Sequence, residues 1–422
     1  MNWVMRFIYS GIALVSFWPC FGQGGTVRLE QCQELARQNF PLIRQFDLIS
    51  RTAAYSLENA SKGYYPQVNF LGQASYQSAV TRLPISIPGI DVPTVSKDQY
   101  KLYAELNQVI YDAGTVKVQR KIVEAGAAVD KESLEVELYK LKDRVNQLYF
   151  SVLIIDRQLQ QNRNVQSDLE LGVAKINALI QNGTAFKSNA DAIKAELLRS
   201  KQQAIELASA KNAYLEMLVQ FTKVNMDLST TFVIPLEPLM FEEIKRPELQ
   251  LFDRQNQLLS AHSDQLGVRN LPKLNLFFQG GYGRPALNML SNEFAPYYLG
   301  GIRLSWSLSS LYTYKKELAL LGVRREQINL QRETFLFNTS LVMKQQQAEI
   351  QKYKAVLLTD QEIIGLRTNV KKASSAQLEN GVITANDYLH EVNAEDQARQ
   401  NMILHEMQLL MALYSQQITK GN

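Results

Sequence analysis

The chain has 422 residues, with 45 Lys and Arg against 41 Asp and Glu and a formal charge of +4. So even a balance gives no electrostatic case for nucleic acid, which is bound through concentrated basic surfaces. His262, His390 and His405 are scattered without metal-ligand spacing, and no Gly-rich phosphate loop or Gly-x-Ser-x-Gly elbow is present, so the common catalytic signatures are excluded and no cofactor or metal is expected.

At the N-terminus a lone Arg6 precedes an apolar run from Phe7 to Trp18, broken by Pro19-Cys20-Phe21-Gly22. This pattern reads as a secretory signal over residues 1–22, cut before Gln23. Cys20 is alternatively a lipid-attachment cysteine, although Phe17-Trp18-Pro19 is a poor match to the small residues preferred before such a site. Cys32 is then the only cysteine left, so no intrachain disulfide can form. Its place among Leu29, Leu35 and Ala36 suggests a small buried hydrophobe.

The second half of the chain repeats the first, landmark by landmark. Pro41 and Pro66 are 25 residues apart, as are Pro247 and Pro272, and Tyr76 and Tyr282 lie ten residues farther on. Leu106 precedes Gly183 by 77 residues and Leu304 precedes Gly381 by 77. Pro66 to Leu106 spans 40 residues against 32 for Pro272 to Leu304, which places a loop eight residues longer in the first copy. The expected organisation is a first repeat over 23–224, with a helix, strands 66–79 and 99–111, and long helices 115–181 and 186–223. A linker over 225–246 follows, and then a second repeat over 247–422, with a helix, strands 272–283 and 297–308, and helices 311–379 and 384–417.

The strands carry period-two alternation. Val68 and Phe70, with Gly72, Ala74 and Tyr76, share one parity, against Gln67, Asn69, Leu71, Gln73 and Ser75. Leu102, Ala104 and Leu106 alternate with Lys101, Tyr103, Glu105 and Asn107; Leu274, Leu276 and Phe278 alternate with Lys273, Asn275, Phe277 and Gln279; Ile302, Leu304, Trp306 and Leu308 alternate with Arg303, Ser305 and Ser307. Strands of about ten residues with one apolar and one polar face suit an outer-membrane barrel, the alternative being a long hairpin covering a helix. On that reading Val68, Phe70, Leu274, Leu276, Phe278 and Trp306 face lipid, and Lys101, Glu105, Lys273 and Arg303 face the lumen. Tyr100, Tyr103, Tyr297, Tyr298 and Trp306 supply an interfacial aromatic belt.

The long helices carry a heptad seam. Leu134, Leu138, Leu141, Val145, Leu148, Val152, Ile155 and Leu159 recur at alternating spacings of four and three. Leu336, Thr339, Met343, Gln346, Ile350, Tyr353 and Leu357 repeat the register in the second half, weakened by Thr339 and Gln346. Helix 115–181 is about 100 Å long at about 1.5 Å per residue. Asn182-Gly183 and Asn380-Gly381 end the two long helices, since Gly and Asn accept the left-handed conformation of a helix C-cap. A four-stranded sheet in lipid leaves unpaired backbone groups at both edges, and four strands are too few to close on themselves. Oligomerisation is therefore expected.

These landmarks resemble the TolC-type outer-membrane efflux proteins over essentially the whole mature chain. Leu29-Glu30-Gln31-Cys32 through Asn39-Phe40-Pro41 looks like that family's opening helix. Tyr65-Pro66 and Leu271-Pro272 look like the prolines leading into its strands, and Tyr111-Asp112-Ala113-Gly114 resembles the turn that ends its second strand. Asn380-Gly381 followed by Asp387 resembles its periplasmic helix turn. The resemblance implies an α+β membrane protein, a homotrimer with a 12-stranded barrel set on a periplasmic α-barrel. It would sit in outer-membrane lipid as the exit duct of a tripartite pump or type I secretion system, and not as an enzyme. A periplasmic adaptor and, through it, an inner-membrane pump would be its partners. Asp387, with His390 and Glu391, becomes the candidate periplasmic gate; Asn182, Gly183, Asn380 and Gly381 become the adaptor-contact tips. Asp387 is equally an acid of the helix's first turn. The chain departs from the family where Ser309-Ser310-Leu311 replaces the second strand-ending turn, and where Ile383 and His390 replace a basic and an acidic residue. A periplasmic coiled-coil adaptor would have one helical hairpin and short strands, and an adhesin would not need two-faced strands.

Overall fold

The computed structural model describes residues 26–81, 95–239 and 243–421. The signal segment, Cys20 and most of the longer loop between the first two strands lie outside the described residues. In chain order come β1 (Thr26–Val27), α1 (Leu29–Asn39), a 3-10 turn (Pro41–Arg44), α2 (Gln45–Ser61), a second 3-10 turn (Lys62–Tyr64), β2 (Gln67–Tyr76) and β3 (Asp98–Tyr111). The long α3 (Thr115–Gln181), α4 (Lys187–Thr222) and β4 (Thr231–Phe232) follow. Then come α5 (Pro247–Arg269), β5 (Lys273–Arg284), β6 (Ala295–Ser305), α6 (Ser310–Glu379) and α7 (Ala385–Lys420). The long helices run 67 and 70 residues and their returning partners 36 each.

Two compact units divide these elements. One comprises residues 41–140, 239–347 and 416–422, the other 1–40, 141–238 and 348–415, so each draws segments from both halves of the chain.

The first unit holds a four-stranded antiparallel sheet ordered β2-β3-β5-β6. Its register places every apolar parity on one face. Val68 pairs with Leu106 and Leu106 with Phe278, Gly72 with Leu102 and Leu102 with Tyr282, and Leu276 and Leu274 pair with Ile302 and Leu304. Lys101, Glu105, Lys273 and Arg303 fall on the opposite face. Directly paired residues point the same way, so this match across four strands follows from the alternation of each. Gly281 lies between Tyr103 and Tyr297, and a Cβ there would come within 2.4 Å of Tyr103 Cβ. Only glycine lets those two rings flank the strand. A bulge between Val109 and Tyr111 shifts the β3–β5 register near its end.

The aromatic belt needs correction at three residues. Tyr103 and Tyr297 share the polar face with Lys101 and Glu105, because they carry the other parity. Trp306 is not a strand residue. Pro272 has no N–H to extend the ladder, the last pair is Lys273 with Ser305, and the Trp306 indole N–H donates to the Asn270 carbonyl at 2.9 Å. Leu308 likewise falls beyond the strand. At the opposite end, Tyr282 and Tyr100 each stack on Phe294, and Arg284 lies 5.3 Å from the Tyr100 ring centroid while pairing with Asp98.

The second unit packs around Tyr149 and Phe150 of α3, both fully buried. Leu29, Cys32 and Ala36 of α1, Leu215 and Leu218 of α4, and Met407 and Tyr414 of α7 close over them. Burial pushes the Cys32 thiol up to about 12, as a packing residue requires. The segment read as a linker joins this core: β4 pairs in parallel with β1, Phe232 is buried, and Tyr149 Oη lies 2.7 Å from the Val233 carbonyl. The seam residues Leu134, Leu138, Leu141, Val145, Val152 and Ile155 are all buried. Among the described residues no helix is long and apolar enough to cross a membrane.

Candidate functional site

The two helical turns of the second unit share one geometry. At the end of α6, Gly381 N–H bonds to the Leu378 carbonyl at 3.1 Å and Val382 N–H to the Gln377 carbonyl at 2.9 Å, with Gly381 at φ 69°. At the end of α3, Gly183 N–H bonds to Ile180 and Thr184 N–H to Leu179, with Gly183 at φ 75°. This pair of bonds is the Schellman cap, and its left-handed residue is glycine because a Cβ is strained there. The Asn380 amide also donates to the Ala376 carbonyl at 2.8 Å. Asn182, Gly183, Asn380 and Gly381 are thus all turn-forming and exposed.

Asp387 is built into the start of α7. Its Oδ2 accepts from the Thr384 backbone N–H at 3.0 Å and from the Thr384 hydroxyl at 2.6 Å, while Asp387 N–H donates back to Thr384 Oγ1 at 3.2 Å. Thr384 and Asp387 therefore form a reciprocal capping box. The hydroxyl and N–H of Thr384 hold the Asp387 carboxyl below the usual carboxylate range. His390 Nδ1 lies 3.1 Å from Glu391 Oε1, and Glu391 also receives Arg367 at 3.3 Å.

One turn farther along α7 is a charge cluster that sequence reading missed. Glu395 is 3% exposed. Lys371 Nζ lies 2.5 Å from Glu395 Oε2 and 2.7 Å from Asp168 Oδ2, which ties α6 to both α7 and α3. Thr368 donates its hydroxyl to Glu395 at 2.6 Å, and Arg399 donates to Glu395 at 2.7 Å. Burial alone would raise the Glu395 carboxyl, but the bonds from Lys371, Thr368 and Arg399 prevail and hold it at about 2. Glu395 followed by Arg399 at i+4 was a visible helix-face pair. Its cross-helix partners depend on a helix register that no single segment encodes. Beside the cluster, Tyr388 is buried, and a Cβ on Gly172 of α3 would meet its ring at 3.1 Å.

On the polar face of the sheet, Arg303 approaches Glu105 at 3.4 Å and lies 4.5 Å from the Phe277 ring centroid. Asn107 donates to Glu105 at 2.7 Å, and Gln279 also donates to it. Lys101 and Lys273 share this face without ion-pair partners among the described residues. On the other face Phe70 is 83% exposed and Ile302 64%, so among the described residues nothing packs on these apolar side chains. The backbone edges of β2 and β6 pair with no strand among the described residues.

Three solved structures show what this arrangement is similar to. CusC, described in connection with transmembrane channel formation, superposes with a TM-score of 0.67 at 13% identity, covering 96% of each chain. The outer-membrane channel OprN gives 0.65 at 13% identity, over 93% of this chain and 90% of its own. The chain has the fold of the TolC-type outer-membrane channels. The Neisseria gonorrhoeae MtrE outer-membrane channel, captured in an open state, gives 0.64 at 13% identity over 94% and 89%. No family model matches the sequence, and no curated protein does. The TolC-type fold is thus carried by element lengths, turns and faces, with little retained residue identity.

Proposed function

We propose that this chain is an outer-membrane channel-tunnel, three copies of which close one 12-stranded barrel above a periplasmic helical tunnel. It serves as the passive exit duct of a tripartite efflux pump or a type I secretion system, and performs no catalysis. The observation that carries this reading is the sheet: four strands of 10 to 14 residues, one face apolar across all four, and both edges unpaired among the described residues. In lipid such edges must be satisfied by further copies. Support for a duplicated chain comes from the matched helix lengths and paired Schellman turns. An adaptor or adhesin reading leaves the exposed apolar sheet face without a purpose.

In this role the turns at Asn182-Gly183 and Asn380-Gly381 meet a periplasmic adaptor, through which an inner-membrane pump is engaged. Lys101, Glu105, Lys273 and Arg303 line the lumen; with both signs present, strong ion selectivity is not expected. Three copies of Asp387, flanked by His390 and Glu391, ring the tunnel's narrow end. One Asp387 oxygen is committed to Thr384, which leaves the other for cations.

The decisive experiment is planar-bilayer recording of the purified protein. Wild type should insert and conduct, and divalent cations should block it from the periplasmic side. Asp387→Asn should weaken that block while Thr384→Ala, which removes the cap but no charge, retains it. Equal block of wild type and Asp387→Asn would reduce Asp387 to a capping acid, and absence of any conductance would overturn the channel itself.

A further inference from the structure

Where β3 ends, the turn at Ala113 and Gly114 leads into the first turns of α3, which present Lys117, Arg120 and Lys121 on the surface. Where α5 ends, Val268 and Leu271 lead into β5. Between these segments lies a cleft of about 1080 Å³, lined by the three basic residues, Tyr64, Val268 and Leu271 among others. That is ample for a small ligand. Its charges do not cancel. Lys121 is held by Asp264 at 2.6 Å, and Glu124 stands a turn farther from the strands. Lys117 and Arg120 have no ion-pair partner among the described residues.

The cleft is placed with respect to the sheet in two ways. It lies at the ends of β3 and β5, the inner pair of the order β2-β3-β5-β6, with Tyr64, which leads into β2, at its lip. It also belongs to the apolar side. Gln108, which pairs with Leu276 in the apolar rows, donates its amide to the Tyr64 carbonyl at 2.9 Å, and Tyr64 lines the cleft. An apolar surface of Leu276, Leu274 and Leu304 therefore runs down to a basic cleft with an aromatic lip.

We propose that this cleft holds the phosphate-bearing headgroup of an anionic phospholipid in the periplasmic leaflet, its acyl chains lying on the apolar sheet face. Arg120 and Lys117 bind the phosphate oxygens, Arg by its fork and Lys as a point charge. The inference rests on the barrel reading, and would give each protomer an anchor that fixes the height of the barrel in the membrane.

Native mass spectrometry of the detergent-solubilised protein tests it, with phosphatidylglycerol or phosphatidylcholine added after delipidation. Wild type should retain phosphatidylglycerol in preference to phosphatidylcholine. The double variant Lys117→Gln/Arg120→Gln should lose roughly 30-fold in that retention, at about fivefold for each basic residue facing anionic lipid. Lys101→Gln, on the opposite sheet face, should retain lipid as wild type does. Equal retention by the double variant and wild type overturns the site, as does displacement of the lipid by inorganic phosphate alone. A wild-type protein that is a stable monomer overturns the barrel reading instead, so the two failures are distinct.

Discussion

At the scale of single residues, Glu395 is the most exacting position of the helical unit. Its buried carboxylate pairs with the partly exposed Lys371 and Arg399, and it is held at about 2 against an ordinary value of 4.5. A carboxyl depressed in the folded state stabilises fully above its unfolded value and loses that contribution as pH falls towards the folded one. The window is therefore from about pH 4.5 down to about 2, and the contribution lost is about 3 kcal/mol. Hydrogen exchange of α6 and α7 amides around Lys371 and Glu395, corrected for intrinsic rates, should show protection falling across that window. Glu395→Gln should remove about 2–3 kcal/mol of this local stability at neutral pH, because Arg399 loses its charged partner while Lys371 keeps Asp168. It should also abolish the pH step. Gly381→Ala is a contrasting case: a Cβ there meets no atom within 4 Å, so its cost is that of a left-handed backbone alone. That is about 1 kcal/mol, read as faster exchange confined to the turn.

At the scale of elements, the proposed barrel makes the alternation of each strand decide which residues meet lipid and which meet water. Cysteine placed at Val68, Phe70, Leu276 or Phe278 should resist a membrane-impermeant thiol reagent, while cysteine at Asn69, Lys101 or Asn275 should react. A reversed pattern would put the apolar face in the lumen. Much of this was legible in the sequence, because period two and a proline before β2 and β5 fix face and starting point. What was not legible was where strands stop and what lies across them. Trp306 continues the alternation in sequence, yet the ladder ends at Ser305 because Pro272 has no N–H to offer its partner. Tyr103 and Tyr297 looked like belt aromatics by residue type, yet Tyr103 carries the strand parity of Lys101 and Glu105, and pairing through Gly281 puts Tyr297 on the same face. The turns behaved similarly: Gly183 and Gly381 announced the caps and Asp387 was legible as a first-turn acid, but its bonds to Thr384 were not. The cluster around Lys371 had no local signal beyond Glu395 and Arg399 four residues apart.

At the scale of the whole molecule, the single chain leaves apolar surface that the sheet does not account for. On α6, Leu320, Val323, Leu330, Phe337 and Leu341 are 49 to 63% exposed. Their spacings of three, seven, seven and four keep them within roughly a quarter of the helix circumference. This stripe is separate from the seam that includes Thr339, which is buried within the chain. A helix with one partnered and one bare apolar stripe is suited to the wall of a cylinder, where it has a neighbour on each side. Burying five such side chains against another copy would stabilise association by several kcal/mol, at about 1.5–3 kcal/mol for each fully buried one. Leu330→Glu/Phe337→Glu should therefore leave the protomer's helical circular dichroism intact and shift the detergent-solubilised protein from trimer to monomer in native mass measurement. A Lys354→Glu change, also exposed on α6 but on the side of the helix opposite the stripe, should leave the proposed trimer unaffected. If the double variant remains trimeric, the stripe faces the tunnel or solvent, and assembly is driven by strand pairing between β6 of one copy and β2 of the next.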